Sequence, residues 1–319
     1  MTGAKNMGAL TVVQNTQIVE KQTITKELFT RFIAYLDASP KTIETYTKSL
    51  KQFYMYLSFN GITDPTRDDV KAYKEDLIQS GHKPTTIQGY MVAVKLFFRW
   101  TAQEGLYPNI ADHMKGAKLD GGHKKDYLTV AQVKDILAGI DTSTYKGVRD
   151  YAIVSLMVSC GLRDIEVVRA NIEDLRTIAG ASVLFVQGKG RTERTEYVKL
   201  SAPVERAIRT YLKLRGDVAE KEPLFTSISN RDAGSRMTTR SVSRLVKGYL
   251  VNAGFNSDRL TAHSLRHTAV TLSLLAGKNL EEVMKFARHR NIATTMIYNH
   301  ALDMANNTCS EAVSNAIFG

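Results

Sequence analysis

Apolar side chains at helical spacing run through residues 23–115, and this spacing limits what the first part of the chain can form. Four such runs are separated by turn-forming residues, among them Ala38-Ser39-Pro40 and Asp64-Pro65-Thr66. Apolar residues three or four positions apart share one face of a helix, so each run predicts an amphipathic helix. Four short helices that bury their apolar faces together predict a small helical domain.

A charged, glycine-containing stretch follows this helical region. Residues 116–126 have little apolar content and include three glycines, which predicts a linker. Residues 1–22 are polar and without clear periodicity, so we expect a flexible tail, too short for a further folded domain. A second domain is therefore expected over residues 127–319.

The hydrophobic period changes from helical to alternating inside this second region. Residues 182–186 and 195–200 alternate on either side of the turn Gly188-Lys189-Gly190-Arg191, and a further short strand is possible near Leu175. Helical spacing returns after Pro203 and continues to Phe318. We predict a mainly α fold, with an N-terminal four-helix domain and an α+β C-terminal domain of helices, a small antiparallel sheet and a tail helix.

The charge balance favours an anionic partner. The chain has 43 Lys and Arg against 32 Asp and Glu, a formal net charge of +11. Its composition is typical of a globular protein, and no apolar run approaches the roughly 18 residues that a membrane span requires, so we expect a cytoplasmic protein. Cys160 and Cys309 lie outside any Cys/His cluster, and we expect no disulfide, metal or cofactor.

Four short sequence strings follow one another along the second region. They are Gly161-Leu162-Arg163-Asp164-Ile165-Glu166, Gly188-Lys189-Gly190, His263-Ser264-Leu265-Arg266-His267-Thr268, and Ala287-Arg288-His289-Arg290-Asn291-Ile292-Ala293-Thr294-Thr295-Met296-Ile297-Tyr298-Asn299-His300. In this order they resemble the GLRxxE, GKG, HxLRHT and GHxxIxTTxxYxH boxes of the tyrosine recombinase (integrase) family, and the four-helix region is similar to the family's core-binding domain.

The resemblance implies a site-specific recombinase that cuts and rejoins DNA through a 3′-phosphotyrosine intermediate. Tyr298 would be the nucleophile, because a covalent bond to tyrosine conserves the energy of the phosphodiester. Arg163 and Arg266 would stabilise the negative charge on the non-bridging oxygens, for which guanidinium groups are suited.

The family pattern also assigns expected roles to four further residues. Lys189 would protonate the leaving 5′ oxygen, although Arg191 and Arg194 lie close to it in sequence. His263 would be an acid–base partner, and His289 would donate a hydrogen bond to the phosphate. Glu166 would be the buried carboxylate that supports the site. We interpret His267 and His300 as structural.

Several arginines are candidates for contacts with DNA phosphates. Arg288 stands where the family often has glycine, and Ala262 stands where it often has proline. If residue 288 requires a positive φ, arginine costs about 1 kcal/mol relative to glycine, which a phosphate-facing role would offset. The candidate DNA contacts are Arg191, Arg240, Arg244 and Arg288, with Arg169 and Arg236 as weaker alternatives.

The resemblance implies double-stranded DNA with inverted-repeat half-sites as the partner. A homotetramer would form on paired sites from a monomer or weak dimer. After Tyr298, an apolar stripe at helical spacing predicts a tail helix that docks on a neighbouring subunit or folds back on its own domain. The stripe consists of Leu302, Ala305, Cys309, Val313, Ala316 and Ile317.

Three other functions remain as alternatives. Integration and excision of a mobile element is slightly favoured over Xer-type resolution of chromosome or plasmid dimers, because the four strings differ from the family motifs at several positions. A type IB topoisomerase would use the same nucleophile as a monomer, but the compact helical first domain and the Thr294-Thr295 box favour a recombinase. A catalytically dead DNA-binding regulator would lack chemical residues, and all six are present.

Overall fold

The computed structural model describes residues 23–118, 126–188, 190–191, 193–305 and 308–318, with the backbone alone at 301–305. The chain divides into two compact units, residues 1–121 and 122–319. The expected tail over residues 1–22 and Lys189 lie outside the described residues, as does most of the expected linker.

Four helices form the described part of the first unit, as the apolar spacing predicts. Each begins where the sequence signals a start: Ser39 caps the second helix ahead of Pro40, and Thr66 forms a capping box with Asp69 at the third. The helices are α1 (Lys26–Tyr35), α2 (Pro40–Phe59), α3 (Arg67–Gln79) and α4 (Pro84–Gln103).

The core of the first unit is built largely from aromatic rings. Phe29 of α1 stacks on Phe97 of α4 with ring centroids 4.3 Å apart. Phe53 of α2 lies 4.9 Å from Tyr73 of α3 and 6.0 Å from Phe98 of α4. Because rings of this size bury large areas and prefer edge or offset contacts, these pairs join all four helices in one core.

The second unit is mainly helical and contains one antiparallel sheet, which confirms the predicted fold class. The strand order is β1–β2–β3, with Leu184 of β2 between Leu175 of β1 and Val198 of β3. Its elements are α5 (Val130–Ala138), α6 (Tyr145–Cys160), α7 (Asp164–Arg169), a short 3₁₀ turn (Ile172–Asp174), β1 (Leu175–Ile178), β2 (Ala181–Val186), β3 (Glu196–Lys199), α8 (Ala202–Arg215), α9 (Thr239–Asn252), α10 (Ala262–Leu275), α11 (Leu280–Ala287), α12 (Ile292–Ala305) and α13 (Cys309–Phe318).

Helix α6 lies at the centre of the second unit, where it packs against α8 and α10. It ends at Gly161, which has φ 59° and ψ 34°, a left-handed conformation that favours glycine. A Cβ atom there would lie 3.4 Å from the side chains of Ala269 and Phe286, an ordinary van der Waals contact. Glycine is therefore favoured here by the backbone conformation of the turn that ends α6. Within the described ranges, no helix is long and apolar enough to cross a membrane.

Candidate active site

A buried carboxylate holds the beginning of α7. The Oε2 atom of Glu166 accepts a hydrogen bond from the backbone N–H of Arg163 at 2.9 Å, and Oε1 accepts one from Arg163 Nη1 at 2.8 Å. The Glu166 side chain is fully buried, whereas that of Arg163 is 30% exposed. Glu166 therefore orients the Arg163 guanidinium and leaves part of it at the surface, where it can meet a ligand.

Arg266 is anchored by main-chain carbonyls instead of a carboxylate. It lies on α10, where Nη1 donates to the Gly161 carbonyl at 2.5 Å and Nη2 donates to the Ala287 carbonyl. Burial, together with the positive charges of Arg163 and Arg288, lowers the pKa of Arg266 to about 9. Arg266 therefore keeps its charge at neutral pH, as arginine normally does.

Arg288 lies inside the protein, although we expected it to face DNA. It follows α11 with φ 54°, so this position does require the positive φ that costs arginine more than glycine. Its side chain is 4% exposed, and Nη2 donates to Glu166 Oε2 at 2.8 Å. The expected phosphate-facing role is corrected on this ground: the partner that offsets the backbone strain is a buried carboxylate.

Three arginines lie around one carboxylate in this cluster, and Arg163 and Arg288 form ion pairs with it. Burial raises the pKa of Glu166, but the charges and hydrogen bonds of Arg288 and Arg163 outweigh burial and hold that pKa below its usual value. Glu166 is therefore ionised at neutral pH, and three guanidinium groups around one carboxylate leave an excess of two positive charges. Such an excess suits a bound phosphate group that gains negative charge during a reaction.

His289 is held as a neutral ring beside this cluster. Burial and the positive charges of Arg266, Arg163 and Arg288 lower its pKa to about 4. Its Nδ1 atom lies 2.9 Å from the hydroxyl oxygen of the buried Thr295. If the hydroxyl donates to Nδ1, the buried O–H is satisfied and the ring proton resides on Nε2, which is then available to donate to a ligand.

Tyr298 lies on α12 beside the histidines of the site. It is 5% exposed, and its ring centroid is 5.1 Å from that of His267 and 6.2 Å from that of His289. Burial raises the pKa of the phenol, while the charges of Arg266 and Arg163 act in the opposite direction. The structure therefore brings Tyr298, the two arginines and His289 together.

His267, which the sequence led us to interpret as structural, packs between His263 and Tyr298. Its ring centroid is 4.7 Å from that of His263, so a row of rings runs from the exposed His263 through His267 to Tyr298. The signal was present in the sequence, because residues 263 and 267 are four apart and share one face of α10. His300 is exposed on α12.

The hairpin expected to contribute Lys189 begins next to the carboxylate. Lys189 lies outside the described residues, but a Cβ atom on its neighbour Gly188 would lie 3.8 Å from Glu166 Oε1. Arg169 Nη1 donates to the Gly188 carbonyl at 2.9 Å and so fixes the base of the hairpin. Arg191 Nη2 donates to Glu196 across the hairpin at 3.0 Å.

Two of the other candidate DNA contacts lie on an exposed surface. Arg240 and Arg244 project from α9 and line an open depression with Lys247 and with Thr261, which directly precedes α10. Arg236 instead donates to the Val168 carbonyl at 2.7 Å and to Asn171 Oδ1 at 2.6 Å. Arg240 and Arg244 are therefore available to a ligand near His263, whereas Arg236 supports the fold.

Comparison with protein families gives matches over both units. Residues 126–304 match the phage integrase family, and residues 27–105 match the N-terminal SAM-like domain of phage integrases. The chain is similar to tyrosine recombinase XerC of Caldanaerobacter subterraneus subsp. tengcongensis, with 30% identity over 307 residues that cover 88% of this chain and 83% of the relative. It is also similar to XerC of Chlamydia caviae, at 28% identity covering 86% and 95%.

Solved structures with a similar fold include complexes with DNA. The XerH recombinase bound to a palindromic difH substrate has a TM-score of 0.70 at 22% identity, covering 84% of this chain and 80% of that one. The Tn1549 transposon integrase with transposon right end DNA has a TM-score of 0.68 at 19% identity, covering 85% and 93%. A lambda integrase dimer on a core site has a TM-score of 0.67 at 16% identity, covering 86% and 97%.

The lowered pKa of His289 predicts that acid destabilises the protein. Unfolded histidine takes up a proton near pH 6.5, whereas folded His289 resists protonation down to about pH 4. The free energy of unfolding contributed by this ring therefore falls as the pH drops through this interval. Melting temperatures measured from pH 7 to pH 4.5 should decline less steeply in His289→Asn than in the unaltered protein. Parallel declines would contradict the prediction.

Proposed function

Since the chain belongs to the phage integrase family of tyrosine recombinases, enzymes that cleave and rejoin DNA through a tyrosine intermediate, we propose that it is a site-specific recombinase with Tyr298 as nucleophile. One observation carries the proposal. Tyr298 is buried where the charges of Arg266 and Arg163 act on its phenol, beside the neutral ring of His289. A scissile phosphate bound by these arginines would lie next to the nucleophile.

The proposed reaction is an exchange of phosphoester bonds. The Tyr298 oxygen attacks phosphorus, the bond to the 5′ oxygen breaks, and the phosphate remains joined to the 3′ end through tyrosine. Arg163 and Arg266 stabilise the charge on the non-bridging oxygens, and His289 donates to one of them from Nε2. Attack by the 5′ hydroxyl of another strand reverses these steps and rejoins the DNA without an external energy source.

Two protons move during cleavage. The phenol of Tyr298 loses one, and we assign His263 as the acid–base partner from the family pattern; its ring packs on His267, whose ring lies beside that of Tyr298. The leaving 5′ oxygen gains one, and we assign Lys189 as its donor. The base of the Lys189 hairpin lies beside Glu166, which is consistent with a lysine that reaches the same phosphate. Such a general acid contributes typically about 10²- to 10⁴-fold in rate.

The proposed substrate is double-stranded DNA with inverted-repeat half-sites. The exposed guanidinium groups of Arg240 and Arg244 border the site next to α10, where they would contact phosphates. Arg191 would contribute from the hairpin. The fold neighbours XerH, the Tn1549 integrase and lambda integrase are bound to DNA, which supports a DNA partner for this chain.

We assign α13 to subunit assembly. Its described side chains are exposed, including Val313, Ile317 at 64% and Phe318 at 83%. An apolar helix face of this kind is costly in water, so docking on a neighbouring subunit would stabilise a homotetramer on paired sites. Without DNA the protein would be a monomer or weak dimer. A type IB topoisomerase, acting as a monomer, would not require such a contact.

Two biological roles fit this chemistry. The relatives named XerC favour Xer-type resolution of chromosome or plasmid dimers. The departures of the four strings from the family motifs favour integration and excision of a mobile element. We give more weight to the relatives, because they match most of the chain rather than four strings. Sequencing the DNA around the gene for inverted repeats that border a mobile segment would distinguish the two roles.

A nicked suicide substrate tests Tyr298 directly. The nick lets the short 5′ product diffuse away, so the unaltered protein should accumulate a covalent adduct on the 3′ phosphate. Tyr298→Phe should abolish the adduct and retain DNA binding, because only the nucleophilic oxygen is lost. Tyr127→Phe, at an exposed tyrosine of the same unit, is the matched control and should form the adduct normally. An adduct in Tyr298→Phe would refute the assignment.

Truncation tests the role proposed for α13. A chain ending at Met304 should bind one half-site normally but form less of the paired complex in native gels, because the docking helix is missing. Ile317→Ser combined with Phe318→Ser should have the same effect while retaining the helix. Unchanged pairing in both variants would show that α13 does not join subunits.

A further inference from the structure

Arg288 occupies a position that is unfavourable for its residue type in two respects. Its backbone is left-handed, with φ 54° and ψ 45°, where glycine is favoured. Its side chain is 4% exposed, although arginine is among the residues least often buried. Its Nε atom is buried without a hydrogen-bond partner among the described residues. Packing alone therefore does not account for an arginine here.

The contacts of Arg288 lead to the partners of both candidate phosphate-binding arginines. Nη2 donates to Glu166 Oε2 at 2.8 Å, and Glu166 Oε1 accepts from Arg163. The same Nη2 lies 3.2 Å from the Gly161 carbonyl, which also accepts from Arg266. Nη1 donates to the Phe286 carbonyl at 2.8 Å and fixes the guanidinium to the end of α11.

We propose that Arg288 is a positioning residue for DNA cleavage, which neutralises Glu166 so that the charge of Arg163 is available to the scissile phosphate. This inference rests on the proposed function. Without Arg288, the described ion pairs would leave Arg163 as the counter-ion of a buried carboxylate. The Arg163–Glu166 ion pair would then tighten. The net positive charge around the bound phosphate would fall by one.

A merely structural role predicts different behaviour. If Arg288 only secures the end of α11 through the Phe286 carbonyl, its loss slows cleavage by the same factor whether or not residue 166 carries a charge. If it acts by neutralising Glu166, removing the carboxylate's charge makes Arg288 dispensable, so the two substitutions are strongly non-additive. The rate of adduct formation in the double variant therefore separates the two roles.

The experiment measures single-turnover cleavage of the nicked substrate at saturating protein. Arg288→Gly, which suits the left-handed backbone, should cleave roughly 10- to 100-fold more slowly, the usual scale for losing a residue that orients a catalytic group. Half-site affinity should be unchanged. In a Glu166→Gln background, adding Arg288→Gly should alter the rate little. Arg288→Lys, which retains the charge, should be faster than Arg288→Gly.

Arg149→Lys is the matched control. Arg149 is also buried and pairs with a buried carboxylate, that of Asp150. It lies about 17 Å along α6 from Cys160 and therefore away from the site. This variant should melt at a lower temperature and cleave at the unaltered rate. It reports how much cleavage responds to a weakened buried ion pair elsewhere in the unit.

The outcomes separate this inference from the proposed function. An unaltered protein that forms no adduct refutes the proposed function. If it forms the adduct, an Arg288→Gly rate equal to its own overturns the positioning role. An equally large loss from Arg288→Gly in the Glu166→Gln background also overturns it. If the single variant Arg288→Gly does not fold, the cleavage rate of Glu166→Gln is compared with that of the double variant Glu166→Gln/Arg288→Gly. Equal rates support the positioning role, and a much slower double variant overturns it.

Discussion

The buried carboxylate of Glu166 is the contact on which the rest of the candidate site depends. A charge without partners in the interior is very costly, so Glu166 requires the cations that surround it. It joins Arg163 at the start of α7 to Arg288 at the end of α11. Two chain segments more than a hundred residues apart are thereby fixed together, and Gly161 completes the arrangement by holding Arg266 through its carbonyl.

The same cluster determines the protonation of its neighbours. Burial and the positive charges that Glu166 leaves uncompensated lower the pKa of His289 and keep the ring neutral, and the same charges oppose the rise in the pKa of the buried Tyr298 phenol. A neutral imidazole suits a hydrogen-bond donor that does not give up a full proton, and a protonated phenol is unreactive until a phosphate is in place. These protonation states are consistent with the roles proposed for His289 and Tyr298.

Local patterns predicted much of the fold. Helical spacing anticipated the four helices of the first unit, and the change to alternation anticipated the strands, because both depend on residues close in sequence. Contacts between distant segments do not follow from spacing. The strings around Arg163, Arg266 and Tyr298 were expected to meet only because they resemble a family. The burial of Arg288 and the ring contacts of His267 were not expected, since surface exposure is the usual outcome for arginine.

We propose that Arg163, oriented by Glu166, stabilises negative charge on the non-bridging oxygens of the scissile phosphate. A substrate with an uncharged methylphosphonate at that position tests this role, because the charge that Arg163 would stabilise is reduced. On ordinary DNA, Arg163→Ala should be slower than the unaltered protein by roughly 10²- to 10³-fold. On the methylphosphonate, the two proteins should cleave at similar rates. The same large deficit on both substrates would contradict this account.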